Sequence, residues 1–159
     1  MIERQSVVGI KFWEKVQSIK NFGTKGSRSK TVAAQTVVLK GLARLAWDLG
    51  HGKNRSEEEL RLLWECIGES SPNKIDFSHR NKIWRSLMLT PEERLKLLVK
   101  NIDKYVYVKE GTNLDAGTYD AVNKWVRYGS KHNDIYPRIG DLIRYKLFLS
   151  PRKQKGLGN

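Results

Sequence analysis

Residues 31–50, TVAAQTVVLKGLARLAWDLG, are the longest apolar run in the chain, and their reading decides the fold class. At 3.6 residues per turn, Val32, Ala33, Val37, Leu39, Leu42, Ala43, Leu45, Ala46 and Leu49 cover nearly the whole circumference. That pattern predicts one continuous helix surrounded by other elements rather than half exposed. Thr31 is placed to cap its start through its hydroxyl, and Gly50 to close it in a left-handed conformation. Ala33, Ala34, Gly41, Ala43 and Ala46 are small enough for neighbouring backbones to come close. Lys40 and Arg44, four residues apart, share the one stripe expected to reach solvent.

Outward from this stretch the sequence predicts further helices. Before it, Phe12, Trp13, Val16 and Ile19 fall at helical spacing, which places a first helix over residues 9–20. After it comes a polar turn, HGKNR at 51–55, and then Ser56-Glu57-Glu58-Glu59, a capping box that opens a helix carrying Leu60, Leu63, Trp64 and Ile67 and ending near Gly68. Cys66 lies among apolar residues, as a buried thiol would. Ser78 is a candidate cap for a short helix that buries Ile83, Trp84 and Leu87. Thr90-Pro91-Glu92-Glu93 is a second start signal, for a helix through Leu95, Leu98, Val99 and Ile102. Residues 105–108, YVYV, fit a strand or an extended exit. Residues 118–128 fit a hairpin turning at 122–124, with Trp125 and Tyr128 as its packing residues. Asn133 or Asp134 is placed to cap a last helix over 136–149, which Pro151 ends. The expectation is a mainly α, single orthogonal domain of five or six helices with a minor β-hairpin over residues 1–150, followed by a mobile basic tail, 151–159.

Thirty Lys and Arg stand against 17 acidic residues, a formal charge of +13 in 159 residues. Such an excess attracts polyanions, nucleic acid before an anionic membrane. No apolar run approaches the roughly 20 residues of a membrane span, and the start does not read as a secretory signal. A single cysteine excludes an internal disulfide and fits a reducing cytoplasm. Zinc-finger spacing and a Walker motif are both absent, and no cofactor or metal is expected. From Val16 to Trp47 there is no acidic residue, while Lys20, Lys25, Arg28, Lys30, Lys40 and Arg44 lie inside. The breaker-rich segment 21–30 therefore reads equally as a solvated linker or as a phosphate seat. In the second case the backbone N–H groups of Val32 and Ala33 at the helix start would face the anion.

Two polar turns hold the residues that could do chemistry. Asp76, His79, Arg80 and Asn81 make one, and Lys131, His132, Asn133 and Asp134 the other. An enzyme or nuclease reading would use Asp76 with His79, or His132 with Asp134, as base or metal ligands, and would need the turns to converge. Asp, Asn, Ser and His are also frequent in such turns for capping, the commoner use. Cations interleaved with aromatics (Arg80, Lys82 and Arg85 around Trp84; Arg127, Lys131, Arg138, Arg144 and Lys146 later) suit phosphate contact plus stacking. The expected DNA-contacting set is Lys25, Arg28, Lys30, Lys40, Arg44, Arg80, Arg85, Lys131 and Arg138. A third reading is an interaction domain whose basic face docks an acidic protein.

Three stretches resemble the C-terminal part of DndB-type DNA sulfur modification proteins. They are Arg28-Ser29-Lys30-Thr31 leading into the apolar stretch, Ile75-Asp76-Phe77-Ser78 followed by Trp84, and the run from Gly129-Ser130-Lys131-His132-Asn133-Asp134 to Asp141. That family's N-terminal half, with its Asp-Gly-Gln-His-Arg motif, has no counterpart here. The resemblance implies a helical C-terminal module, cytoplasmic, that binds or regulates at DNA undergoing phosphorothioate modification, alongside other proteins of such a system and without catalysis of its own.

Overall fold

The computed structural model describes residues 2–68, 75–89, 92–93, 95–96, 100, 116–129 and 132–147. In chain order these form α1 (Ile2–Gln17), α2 (Ser27–Lys30), a 3-10 turn (Val32–Ala34), α3 (Thr36–His51), α4 (Glu57–Cys66), a 3-10 helix (Lys82–Met88), β1 (Gly117–Asp120), β2 (Trp125–Tyr128) and α5 (His132–Lys146). Among the described residues the chain is mainly helical with one small antiparallel sheet, as the sequence predicts.

α3 is the element the others enclose. It packs against α1, α4 and, most extensively, α5. Val37, Val38, Leu42, Leu45, Ala46 and Leu49 are buried along it, and Lys40, Arg44 and Trp47 form its exposed stripe. Gly41 sets the distance to α5: a Cβ there would lie 2.6 Å from Ile139 Cβ and 3.0 Å from the Tyr136 carbonyl. Only a glycine admits so close a crossing. The facing stripe of α5 is Ile135, Ile139, Leu142 and Ile143, all buried. Leu63 and Cys66 of α4 and Ile83, Trp84 and Leu87 of the 3-10 helix complete the same core. Cys66 is buried, and desolvation raises its thiol pKa above the ordinary value, as expected of a structural cysteine.

Residues 31–50 are not one helix. Gln35 is extended (φ −81°, ψ 132°) and separates the 3-10 turn from α3. Tertiary hydrogen bonds cause the break. Val32 N–H donates to the Phe77 carbonyl at 2.9 Å, and the Thr31 hydroxyl donates to the same oxygen at 3.2 Å while accepting from Ala33 N–H. Thr31 is therefore a cap, but of the 3-10 turn. Gly50 does not close α3, which runs on to His51 and exits through Gly52 in an extended, not left-handed, conformation. Gly50 is buried in the middle of a contact, where a Cβ would come within 3.2 Å of Val8 in α1.

Other boundaries shift for similar reasons. α1 begins at Ile2 and ends at Gln17, earlier at both ends than residues 9–20. Asn81, not Ser78, caps the 3-10 helix, its side-chain oxygen accepting from Ile83 N–H at 3.3 Å. The Ser78 N–H is instead held by Asp76 Oδ1 at 2.9 Å. α5 opens at His132, so Asn133 and Asp134 sit inside its first turn, where Asp134 favours the helix dipole. The capping box forms as expected, Ser56 accepting from Glu59 N–H at 3.2 Å. So does the hairpin: Asp120 Oδ1 accepts from Val122 and Asn123 N–H, and Lys124 takes the left-handed position (φ 57°). A bond from the Asn123 side chain, with those backbone bonds from Asn123 and Val122, holds the Asp120 carboxyl below its usual pKa. The residue the hairpin buries completely is Val126, between the expected Trp125 and Tyr128. The loop 69–74, most of the helix expected after Thr90, the YVYV segment and the tail 151–159 lie outside the described residues.

Candidate nucleic-acid interface

The structure scatters the expected cations over several places. Arg44 and Arg138 line a groove of about 980 Å³ between the C-terminal half of α3 and α5, with Lys53 and Arg144. Trp47, Tyr136 and His51 are also in its wall, and Asp48 is its one carboxylate among the described residues. Four permanent cations against one carboxylate give this groove the sign a polyanion requires. The Arg44 guanidinium lies 5.4 Å from the centre of the Trp47 ring and 3.7 Å from Asp48. Arg138 is 3.9 Å from Asp141. In both pairs the carboxylate is largely covered, at 11% side-chain exposure, while the guanidinium stays more accessible, at 58% for Arg44 and 31% for Arg138. Lys40 continues the line along the exposed face of α3.

Arg28 lines a second cavity, of about 500 Å³, at the start of α3, where Trp125 and Arg127 of β2 meet it. Lys30 faces away from both, into a small depression of about 70 Å³ beside Lys20. Lys25 and Arg80 are exposed, and Arg85 lies 4.3 Å over the ring of Tyr119. Lys131 is outside the described residues. The eight that are described do not form one face.

The phosphate seat expected at Val32 and Ala33 is absent. Both residues are fully buried, and their N–H groups are spent on the Phe77 carbonyl and the Thr31 hydroxyl. The true start of α3 lies four residues later. There Gln35 makes no side-chain cap, because its amide turns to the hairpin, donating to the Val126 carbonyl at 2.8 Å and accepting from Tyr128 N–H at 2.9 Å.

His79 has a structural task. It is 6% exposed; its Nδ1 accepts from Val126 N–H at 3.0 Å and its Nε2 faces the Arg28 carbonyl at 2.7 Å. Acceptance at Nδ1 requires the Nε2–H tautomer, so that nitrogen donates to Arg28. Both nitrogens are committed to backbone, and neither can take a substrate proton or a metal without breaking the corner between α2 and the hairpin. The Asp76 carboxylate is engaged with Ser78 N–H, and the Asp76 carbonyl accepts from Asn81 Nδ2 and Trp84 Nε1 at 2.8 and 2.7 Å. Among the described residues no three His, Cys, Asp or Glu side chains are grouped to hold a metal. Asp134 is exposed at the start of α5. Capping and bridging account for the first polar turn.

Sequence reasoning missed Gln35, whose fork substitutes for a third strand beside β2, and Trp47 and Lys53, which complete the larger groove. Gln35 sits inside the apolar run, and a polar residue there was the available signal. Among the described residues no helix is long and apolar enough to cross a membrane. No family model, curated protein or solved structure matches this chain.

Proposed function

We propose that this chain is a DNA-binding module without catalysis of its own, and that the groove between α3 and α5 is where the duplex backbone docks. One observation carries this reading: Arg44, Lys53, Arg138 and Arg144 line a single groove together with Trp47 and Tyr136, within a chain of charge +13. Guanidinium groups match phosphate geometry, and the ring faces supply walls for sugar and base. The sequence resemblance to DndB-type proteins supports phosphorothioate modification as the setting, with other proteins of that system as partners. Against the enzyme reading stands the commitment of both His79 nitrogens to backbone.

Fluorescence anisotropy with a labelled duplex tests the proposal. Affinity should fall steeply between about 50 mM and about 200 mM salt, because each neutralised phosphate releases a counterion. The double variant Arg44→Gln, Arg138→Gln should flatten the salt slope by about two. Absence of binding at low salt, or an unchanged slope in the double variant, ends the reading. Duplexes with and without phosphorothioate linkages, compared in the same titration, decide whether sulfur is recognised.

A further inference from the structure

The second cavity has a chemistry of its own. It shares no lining residue with the groove between α3 and α5, and no carboxylate lines it among the described residues. Three of its neutral polar side chains are already spent. His79 and Gln35 are bonded to backbone, and the Ser29 hydroxyl donates to the Gly26 carbonyl at 2.8 Å. What remains in the wall is made of donors, of which Arg127 also acts on the Asp120 carboxylate. Arg28 comes from α2 and Arg127 from β2, two segments that the His79 bridge holds together. Thr36 is exposed, and the backbone N–H groups of Thr36 and Val37 have no acceptor among the described residues. Beside these donors lies one aromatic face, Trp125, with the Arg127 guanidinium 5.0 Å from its ring centre.

A wall of donors selects a ligand rich in acceptor oxygens, and two guanidinium groups select phosphate over carboxylate when a third and fourth oxygen need partners. An indole at the edge of the same cavity selects a ligand whose other end is planar. The volume of about 500 Å³ falls in the range of small-molecule sites, roughly 300–1,000 Å³. We propose that this cavity binds a single nucleotide, its phosphoryl group between Arg28, Arg127 and Thr36 and its base against Trp125. The nucleotide is either free or the 5′-phosphorylated end of a strand, which present the same chemistry. This inference does not rest on duplex binding by the larger groove, since it uses other residues.

Titration calorimetry of the full chain with deoxyadenosine monophosphate, deoxyadenosine and inorganic phosphate is the experiment. The nucleotide should bind more tightly than either of its parts. Arg28→Gln and Arg127→Gln should each weaken it by at least about tenfold, the loss of one charge-assisted pair. Trp125→Leu should bring its affinity down to that of phosphate. Arg44→Gln with Arg138→Gln should leave nucleotide binding unchanged even where it abolishes duplex binding, so failure of one reading is told from failure of the other. Circular dichroism of each variant confirms that the fold is retained. A single-stranded oligonucleotide carrying a 5′-phosphate, set against its 5′-hydroxyl counterpart, separates the sources: a preference for the phosphorylated strand assigns the strand end, and equal weak binding of both assigns the free nucleotide. No heat of binding with the nucleotide at millimolar concentration, or a binding that Arg28→Gln and Arg127→Gln both leave intact, overturns the proposal.

Discussion

Near its middle α3 meets α5 through Gly41 and Ile139, a close contact in which the Ile139 side chain and the Tyr136 backbone carbonyl face the glycine. At its N-terminal end the chain is held by hydrogen bonds that reach far along the sequence: Thr31 and Val32 to Phe77, Gln35 to Val126 and Tyr128, His79 to Arg28 and Val126. Two adjacent regions of one core thus rest on different physics. Apolar packing has no preferred direction and fails by degrees as volume is removed. A buried polar bridge is directional, and losing one partner leaves the other unpaired in a poor solvent for it. The first kind of region is governed by volume and the second by the pairing of its donors and acceptors.

The sharpest way to break that distinction is at His79. His79→Ala leaves Val126 N–H and the Arg28 carbonyl without partners, at roughly 1–3 kcal/mol for each buried group. A total loss of about 2–5 kcal/mol is expected in urea denaturation, and hydrogen exchange of the hairpin amides should rise before that of α3 and α5. A uniform rise in exchange across all elements would show that the two regions are not separable.

Gly41→Ala attacks the packed region by size alone. The added methyl gains about 1 kcal/mol of helix propensity but must displace Ile139 or separate the helices, at about 1–3 kcal/mol. The expected result is net destabilisation at the upper end of that conflict, because the neighbour at 2.6 Å is a β-branched Cβ with little freedom to move. A stabilised variant would mean that α3 and α5 lie farther apart than described.

Gln35→Ala should cost less, about 1–2 kcal/mol, because both of its bonds are only part-buried. Its effect should again appear first as exchange at Tyr128 N–H. Gln35→Glu keeps the size and the acceptor but loses the donor to Val126, so it should lie between wild type and alanine at acid pH and near alanine at neutral pH.

A smaller effect separates the regions by pH. Tyr128, whose hydroxyl donates to the Trp84 carbonyl, has its pKa raised by burial, as has Cys66. A raised folded pKa means the unfolded chain loses its proton first. The stabilisation is therefore fully present below the ordinary values of 9.0 and 10.0 and falls as pH rises beyond them. Thermal melts should show a drop above pH 10.0, and Tyr128→Phe should make it shallower. The least change is expected for Arg44→Gln, an exposed partner of Asp48, at under about 0.5 kcal/mol.

How much of this was legible beforehand follows the same division. The packed region was readable because burial writes a period into the sequence: Leu42, Leu45 and Leu49 on α3 and Ile139, Leu142 and Ile143 on α5 are where spacing put them. The capping box at Ser56 and the hairpin turn at Asp120 were readable because each is closed by residues three or fewer apart. The larger groove was half legible, through Arg44 and Arg138, whereas Trp47 and Lys53 join it only once α5 lies across α3.

By itself, then, the sequence determined a helical domain built on residues 31–50, the positions of its core, its local caps and its excess of positive charge, since each depends on periodicity, near neighbours or composition. Only the tertiary structure decided that Gln35 interrupts the central run, that His79 serves the backbone rather than chemistry, and that the cations fall into separate grooves. Those outcomes depend on partners 45 to 93 residues away, and a directional bond over such a distance leaves no period in the chain.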